Sequence, residues 1–114
     1  IDIMKRVSSD AETTLETVMH KSEIVELQKL VRKTPVADHI FQYAAKLVRS
    51  TRPGDPDAPP FIRNWLSYGA GPRASLFLII ASKARAILRG RFHVTVEDIQ
   101  AVAQPVLRHR IIPN

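Results

Sequence analysis

The sequence predicts an all-α fold, a small helical bundle built around a central helix at about 72–89. Three observations carry that expectation. Segments 22–33, 38–50, 72–89 and 96–103 each repeat apolar residues at the helical period and have recognisable ends. Proline and glycine gather between these segments, most densely at 51–60. The longest apolar run follows Ala74, and between 74 and 81 only Ser75 is polar, so this helix is expected to be packed on most sides.

A chain of 114 residues suits one domain, which can bury roughly 65% of its unfolded surface without a covalent staple. It has no cysteine, which excludes a disulfide framework and a thiolate metal site. No apolar run approaches the roughly 20 residues of a membrane span, and no signal peptide is visible. The opening Ile1-Asp2-Ile3-Met4-Lys5-Arg6-Val7 lacks an initiator Met and reads as a helix joined midway, so the chain is expected to be an excised fragment. Charge is unevenly placed. Residues 1–57 hold 9 Lys/Arg against 9 Asp/Glu, while 58–114 hold 8 against 2, which accounts for the whole net charge of +6. A basic half favours an acidic partner: nucleotide, nucleic acid or an acidic protein face.

Taken in order, apolar positions 1, 3, 4 and 7 fit the tail of a helix. Ser8 to Thr17 is polar and reads as an exposed connection, anchored by Leu15 and Val18. Ser22 is placed to cap an amphipathic helix from Glu23 to Lys33, with Ile24, Leu27, Leu30 and Val31 on one face. Thr34-Pro35 stops it, because the residue before proline resists the α region. The next helix spans Asp38 to Ser50, with Ile40, Phe41, Ala44, Leu47 and Val48 inward and Val36 stapled onto Phe41. His39 falls on its polar side and reads as solvated. Thr51 to Pro60, with four prolines, one glycine and two aspartates, is a loop. Phe61 to Leu66 fits a turn and a half of helix better than a strand, with Trp65 as a packing anchor.

Tyr68-Gly69-Ala70-Gly71-Pro72-Arg73 then opens the central helix. Gly71 can serve as N-cap, and Pro72 suits the first helical position, where its missing N–H costs nothing. Leu76, Ile80, Ala84 and Ile87 form one apolar row, and Phe77, Ala81, Ala84 and Leu88 another. Gly90 is placed to end the helix in a left-handed conformation. Thr95-Val96-Glu97-Asp98 resembles a capping box with aspartate in the last position. The helix it starts runs to Ala103 and buries Ile99 and Val102, with Val106 just beyond, before Pro105 ends or restarts it. Arg108-His109-Arg110 keeps the tail basic.

Arg73 stands out on this map. A cation in a first helical turn meets the positive end of the dipole, at a cost of roughly 0.3–1 kcal/mol. Backbone N–H groups at such an end attract anions, and an arginine among them makes a phosphate or carboxylate clamp. The same residue could equally be paired with a nearby carboxylate or simply solvated, and the physics alone leaves both readings open.

Other constellations are weaker. Gly69-x-Gly71-x-x-Ala74 formally matches a dinucleotide fingerprint, but no buried strand or βαβ unit precedes it. No G-x-x-x-x-G-K-[ST] is present. The four histidines lack metal spacing, so no metal site is expected. No nucleophile–base arrangement can be argued, and the chain is not expected to be an enzyme by itself. A DNA-binding role is disfavoured, because Lys83, Arg85 and Arg89 ride a helix whose pattern calls for burial.

Gly69-Ala70-Gly71-Pro72-Arg73-Ala74, Val94-Thr95-Val96-Glu97-Asp98-Ile99 and Val106-Leu107-Arg108-His109-Arg110-Ile111 together resemble the C-terminal lid of MoxR-type AAA+ ATPases. Glu26-Leu27-Gln28-Lys29-Leu30-Val31-Arg32 and Leu47-Val48-Arg49-Ser50-Thr51-Arg52 are similar to the same lid, so the resemblance spans about 20 to 112. It implies a single lid domain over 1–114, with 1–21 as the connection from a P-loop ATPase core that this chain lacks. It implies ATP and Mg2+ in the parent protein, with none bound by this fragment alone. The family's motif is Gly-Ala-Ser-Pro-Arg, whose arginine is the sensor 2 residue that reaches the γ-phosphate. That role carries onto Arg73, with Gly71 and Pro72 beside it as nucleotide-binding positions. Gly71 replaces the family's serine and loses its side-chain hydrogen bond, at a cost of only a few tenths of a kcal/mol as an N-cap. Further implications are a cytoplasmic, chaperone-like remodelling machine, a homo-oligomeric ring whose neighbouring subunits are partners, and an unknown protein client. The sequence does not say whether Arg108 or Arg110 meets a neighbouring subunit. The alternative from another class is a basic interaction module that docks an acidic protein or nucleic acid without nucleotide.

Overall fold

The structure is a computed structural model that describes residues 1–10, 12 and 14–114. Its elements run α1 (Asp2–Ser8), α2 (Lys21–Lys33), α3 (Asp38–Ser50), α4 (Pro60–Trp65), β1 (Leu66–Tyr68), α5 (Pro72–Leu88), α6 (Val96–Leu107), a 3-10 turn (Arg108–Arg110) and β2 (Ile112–Pro113). The fold is all-α apart from β1 and β2, which pair antiparallel, Leu66 opposite Pro113 and Tyr68 opposite Ile112. The central helix is α5, and it packs against α6, α3 and α2.

The core lies where these helices meet. Ile40, Ala44 and Val48 of α3, Ala74, Leu78, Ile79 and Ala86 of α5, and Ile99 and Leu107 of α6 form one buried cluster. Ala70 and Val94 complete it from the connections. Each large aliphatic side chain here stabilises the fold by roughly 1.5–3 kcal/mol relative to exposure. The face that α5 buries differs from the expected rows. Positions 74, 78, 82 and 86 form the buried stripe, joined by Ile79, whereas Leu76 and Leu88 are exposed and Ile80 is half-buried. The reason is size. Ala74, Ser82 and Ala86 let neighbouring backbones come close, and a helix apolar on nearly all sides gives hydrophobicity alone no face to choose. The Ser82 hydroxyl is buried in this stripe without a hydrogen-bond partner among the described residues.

The ends of α5 follow the sequence. Gly71 is the N-cap and Pro72 the first helical residue. At the other end Gly90 adopts φ +74°, its N–H donates to Ile87 O at 2.9 Å, and Arg91 N–H donates to Ala86 O at 2.9 Å. That is the Schellman pattern, and its left-handed residue is why glycine stands there. Asp98 caps α6 by accepting from Thr95 N–H at 2.8 Å.

Several expectations are corrected. The N-cap of α2 is His20, not Ser22, and none of its residues is buried among the described residues. Leu15 and Val18 are exposed and anchor nothing, while Ala11 and Thr13 of the expected connection lie outside the described residues. Phe41 is exposed although Ile40, Ala44 and Val48 are buried, so α3 turns a narrower face inward than expected. Phe61 to Trp65 is helical as expected, but Leu66–Tyr68 is extended, and Trp65 is 71% exposed instead of anchoring the core. A six-residue helix between a proline-rich loop and a strand has no inward face deep enough to bury an indole. Finally, α6 continues through Pro105 to Leu107. A proline within a helix costs about 3 kcal/mol, and burial of Leu107 offsets part of that.

Candidate functional site

The first turn of α5 is the candidate site. Gly71 holds φ −86° and ψ −177°, extended backbone that turns helical at Pro72, and Ala74 N–H donates to Gly71 O at 3.0 Å. Among the described residues no side chain caps this end. Arg73 is exposed and has neither a hydrogen-bond nor an ion-pair partner among the described residues. The paired-arginine reading of this residue therefore finds no support. An unpaired guanidinium beside the positive end of a helix can take phosphate or carboxylate oxygens in a bidentate fork. A Cβ added at Gly71 would meet nothing within 4 Å, so the N-cap position is open.

The turn that leads into this helix is held from behind by the end of α3. The Thr51 hydroxyl donates to Val48 O at 2.6 Å and accepts from Ala70 N–H at 3.0 Å. Arg52 Nε donates to Ala70 O at 2.9 Å. Gly69 lies so close that an added Cβ would stand 2.3 Å from Thr51 O and 2.7 Å from the Arg52 Cα, which only glycine allows. Nothing in the local sequence signals this contact, because it joins positions 18 and 19 residues apart.

At the far end of α5, Asp98 is fully buried and accepts from two guanidiniums. Arg85 Nη1 reaches its Oδ1 at 2.6 Å, and Arg91 Nη1 and Nη2 reach Oδ2 and Oδ1 at 2.8 and 2.5 Å. Burial by itself pushes the carboxyl pKa up. The hydrogen bonds from Arg91, Thr95 and Arg85 outweigh it and hold the group well below the ordinary carboxylate range. The Arg91 guanidinium is pushed up in turn, chiefly by its hydrogen bond to Asp98 and against the effect of burial. This cluster is structural, joining the end of α5 to the start of α6. Its signal in the sequence was an aspartate in the capping-box position with an arginine just past the helix-ending glycine. Arg110 lies 4.8 Å from the centre of the Phe77 ring on α5, while Arg108 is exposed.

Among the described residues no group of three metal-ligating side chains occurs, and no helix is long and apolar enough to cross a membrane.

The family described as the AAA lid domain matches residues 62–114. The chain is 30% identical over 95 residues to the chaperone MoxR1 of Mycobacterium tuberculosis, covering 83% of this chain and 25% of that protein. It is 33% identical over 99 residues to the uncharacterised protein YeaC of Bacillus subtilis, covering 87% and 28%. A 43-residue stretch is 46% identical to protein MoxR of Methylorubrum extorquens, covering 38% and 12%. A crystal structure of a protein assigned as an ATPase, from Cytophaga hutchinsonii, superposes with a TM-score of 0.79 at 30% identity over 99% of this chain and 34% of that one. The chain thus belongs to the AAA lid domains, and within them it is a C-terminal lid of the MoxR-type AAA+ ATPases. It spans 25% and 28% of the length of the curated relatives it matches over most of its own length.

Proposed function

We propose that this domain closes over ATP held on a P-loop core of the same protein, and that Arg73 is its sensor 2 residue. The observation that carries the reading is Arg73 itself: exposed, unpaired among the described residues, and set in the one turn of α5 where a cation is unfavourable for helix stability. A position that is poor for folding and good for a phosphate supports a role in binding. Its guanidinium would meet the γ-phosphate oxygens as negative charge shifts during transfer. Gly71 leaves the approach to that turn open, and Pro72 beside it fixes the first helical residue. Mg2+ would be held with ATP by the core. The parent protein is then an ATPase of the cytoplasm, a chaperone-like machine that assembles as a homo-oligomeric ring around an unknown protein client. Residues 1–21 would connect the lid to the core. The isolated domain should bind ATP no better than about millimolar, because a few phosphate contacts must offset the full cost of immobilising the ligand.

The test is the ATPase rate of the full-length protein. Arg73→Ala should lower turnover by about 10²-fold, a loss near 3 kcal/mol of charge stabilisation, with the melting temperature unchanged or slightly raised. Arg73→Lys should restore only part, since a point charge cannot reproduce the planar fork. Unchanged turnover in Arg73→Ala would end the sensor assignment. A parallel fall in activity and stability would make Arg73 a structural residue.

A further inference from the structure

We infer that Thr51 and Arg52 are positioning residues for Arg73, a latch at the end of α3 that holds the first turn of α5 in place. The inference rests on the reading of Arg73 as a phosphate contact and adds what fixes it. With glycine at its N-cap, α5 starts without a side-chain cap, and an uncapped first turn frays. The preceding segment adds little: Phe61, Trp65 and Tyr68 are exposed and no residue of α4 is buried. Beside the burial of Ala74 in the core, the turn is held through Ala70, itself 1% exposed, whose N–H and C=O are both taken by the latch. Thr51 is buried and bonds back to Val48, which is fully buried in the core. The latch therefore ties Ala70, three residues before Arg73, to the buried core. Glycine at 69 is what lets the two segments approach this closely.

A shift of about 1 Å in a group that meets the reacting phosphate can cost up to 10²-fold in rate, so loss of one latch bond should be visible in turnover. The experiment is a double-mutant cycle in the full-length protein, with turnover, KM for ATP and melting temperature measured on each variant. Thr51→Val removes the hydroxyl at constant shape, Thr51→Ser retains it, and Arg52→Met removes the guanidinium at a half-exposed position where folding is least at risk. Thr51→Val and Arg52→Met should each lower kcat by about tenfold with KM changed less, and Thr51→Ser should stay within about twofold of the wild type. In an Arg73→Ala background the same substitutions should change kcat by less than about twofold, because the group they position is gone. Three results overturn the inference, and they differ from one another. If Arg73→Ala lowers turnover but both latch variants are silent, the sensor reading stands and the latch falls. If the latch variants act equally with and without Arg73, Thr51 and Arg52 act directly or through stability. If Arg73→Ala is itself silent, the sensor reading fails and takes the latch with it.

Discussion

The two ends of α5 carry arginines in opposite circumstances. Arg85 lies in the last turn, where the dipole favours a cation, and gives a hydrogen bond to a buried carboxylate. Arg73 lies in the first turn, where the dipole disfavours one, and has no partner among the described residues. The C-terminal end is closed by a left-handed glycine, a shared aspartate and a second arginine, all within the chain. The N-terminal end is left without a side-chain cap and is steadied only from behind. One helix thus uses its charges in two ways. At one end they finish the fold, and at the other a charge is kept available at a small cost in stability.

The comparison breaks most visibly at Asp98. Asp98→Asn keeps the shape but leaves both guanidiniums without a counter-charge and weakens the cap on α6. We expect a loss of about 2–4 kcal/mol in urea unfolding, somewhat below that of a fully enclosed pair because the Arg85 and Arg91 side chains are 25% and 29% exposed. A loss under about 1 kcal/mol would show that the C-terminal end of α5 is no more tightly closed than the other. Acid should open the same end in the wild type. The Asp98 carboxyl titrates lower in the folded chain than in the unfolded one, so its contribution is fully present above about pH 4 and is lost progressively as pH falls below that. Denaturant midpoints measured from pH 7 down to 2 should fall more steeply for the wild type than for Asp98→Asn. Parallel curves would remove Asp98 from the account.

At the N-terminal end the expected effects on stability are smaller and reversed in sign. Arg73→Ala should be neutral or stabilising by roughly 0.3–1 kcal/mol, read as a melting temperature that does not drop. Gly71→Ser, placed where an added Cβ meets open space, should add a few tenths of a kcal/mol by capping the first turn. A clear destabilisation by Gly71→Ser would mean that the turn needs glycine, which its φ of −86° does not suggest.

Much of this contrast was legible in the sequence, because helix ends are local. Gly71, Pro72, Gly90 and the Thr95–Asp98 box announce themselves within four residues, and each stands where it was expected. The buried face of α5 was not legible. Its period was evident, but apolar residues surround the axis, and the stripe that is buried was set by small side chains at 74, 82 and 86 that a hydrophobicity pattern ranks low. Trp65 failed for the related reason that an aromatic residue reads as core until its element proves too short and too peripheral to bury it. The Thr51–Arg52 contact was invisible for a third reason: it depends on which segments the fold brings side by side.

The pairing of β1 with β2 bears on how the chain folds. Ser67 Oγ and Asn114 Oδ1 lie 2.8 Å apart although 47 positions separate them, and Asn114 N–H donates to Trp65 O at 2.8 Å. Closing a loop of that length from an open chain costs roughly 3–4 kcal/mol of entropy, more than so short and exposed a ladder returns. The strands can meet only after α5 and α6 have docked and brought the ends of the loop together. The pair is therefore a late clasp, formed after the helices and released before them, and in hydrogen exchange its amides should open with far less free energy than those of Leu78 or Ile99.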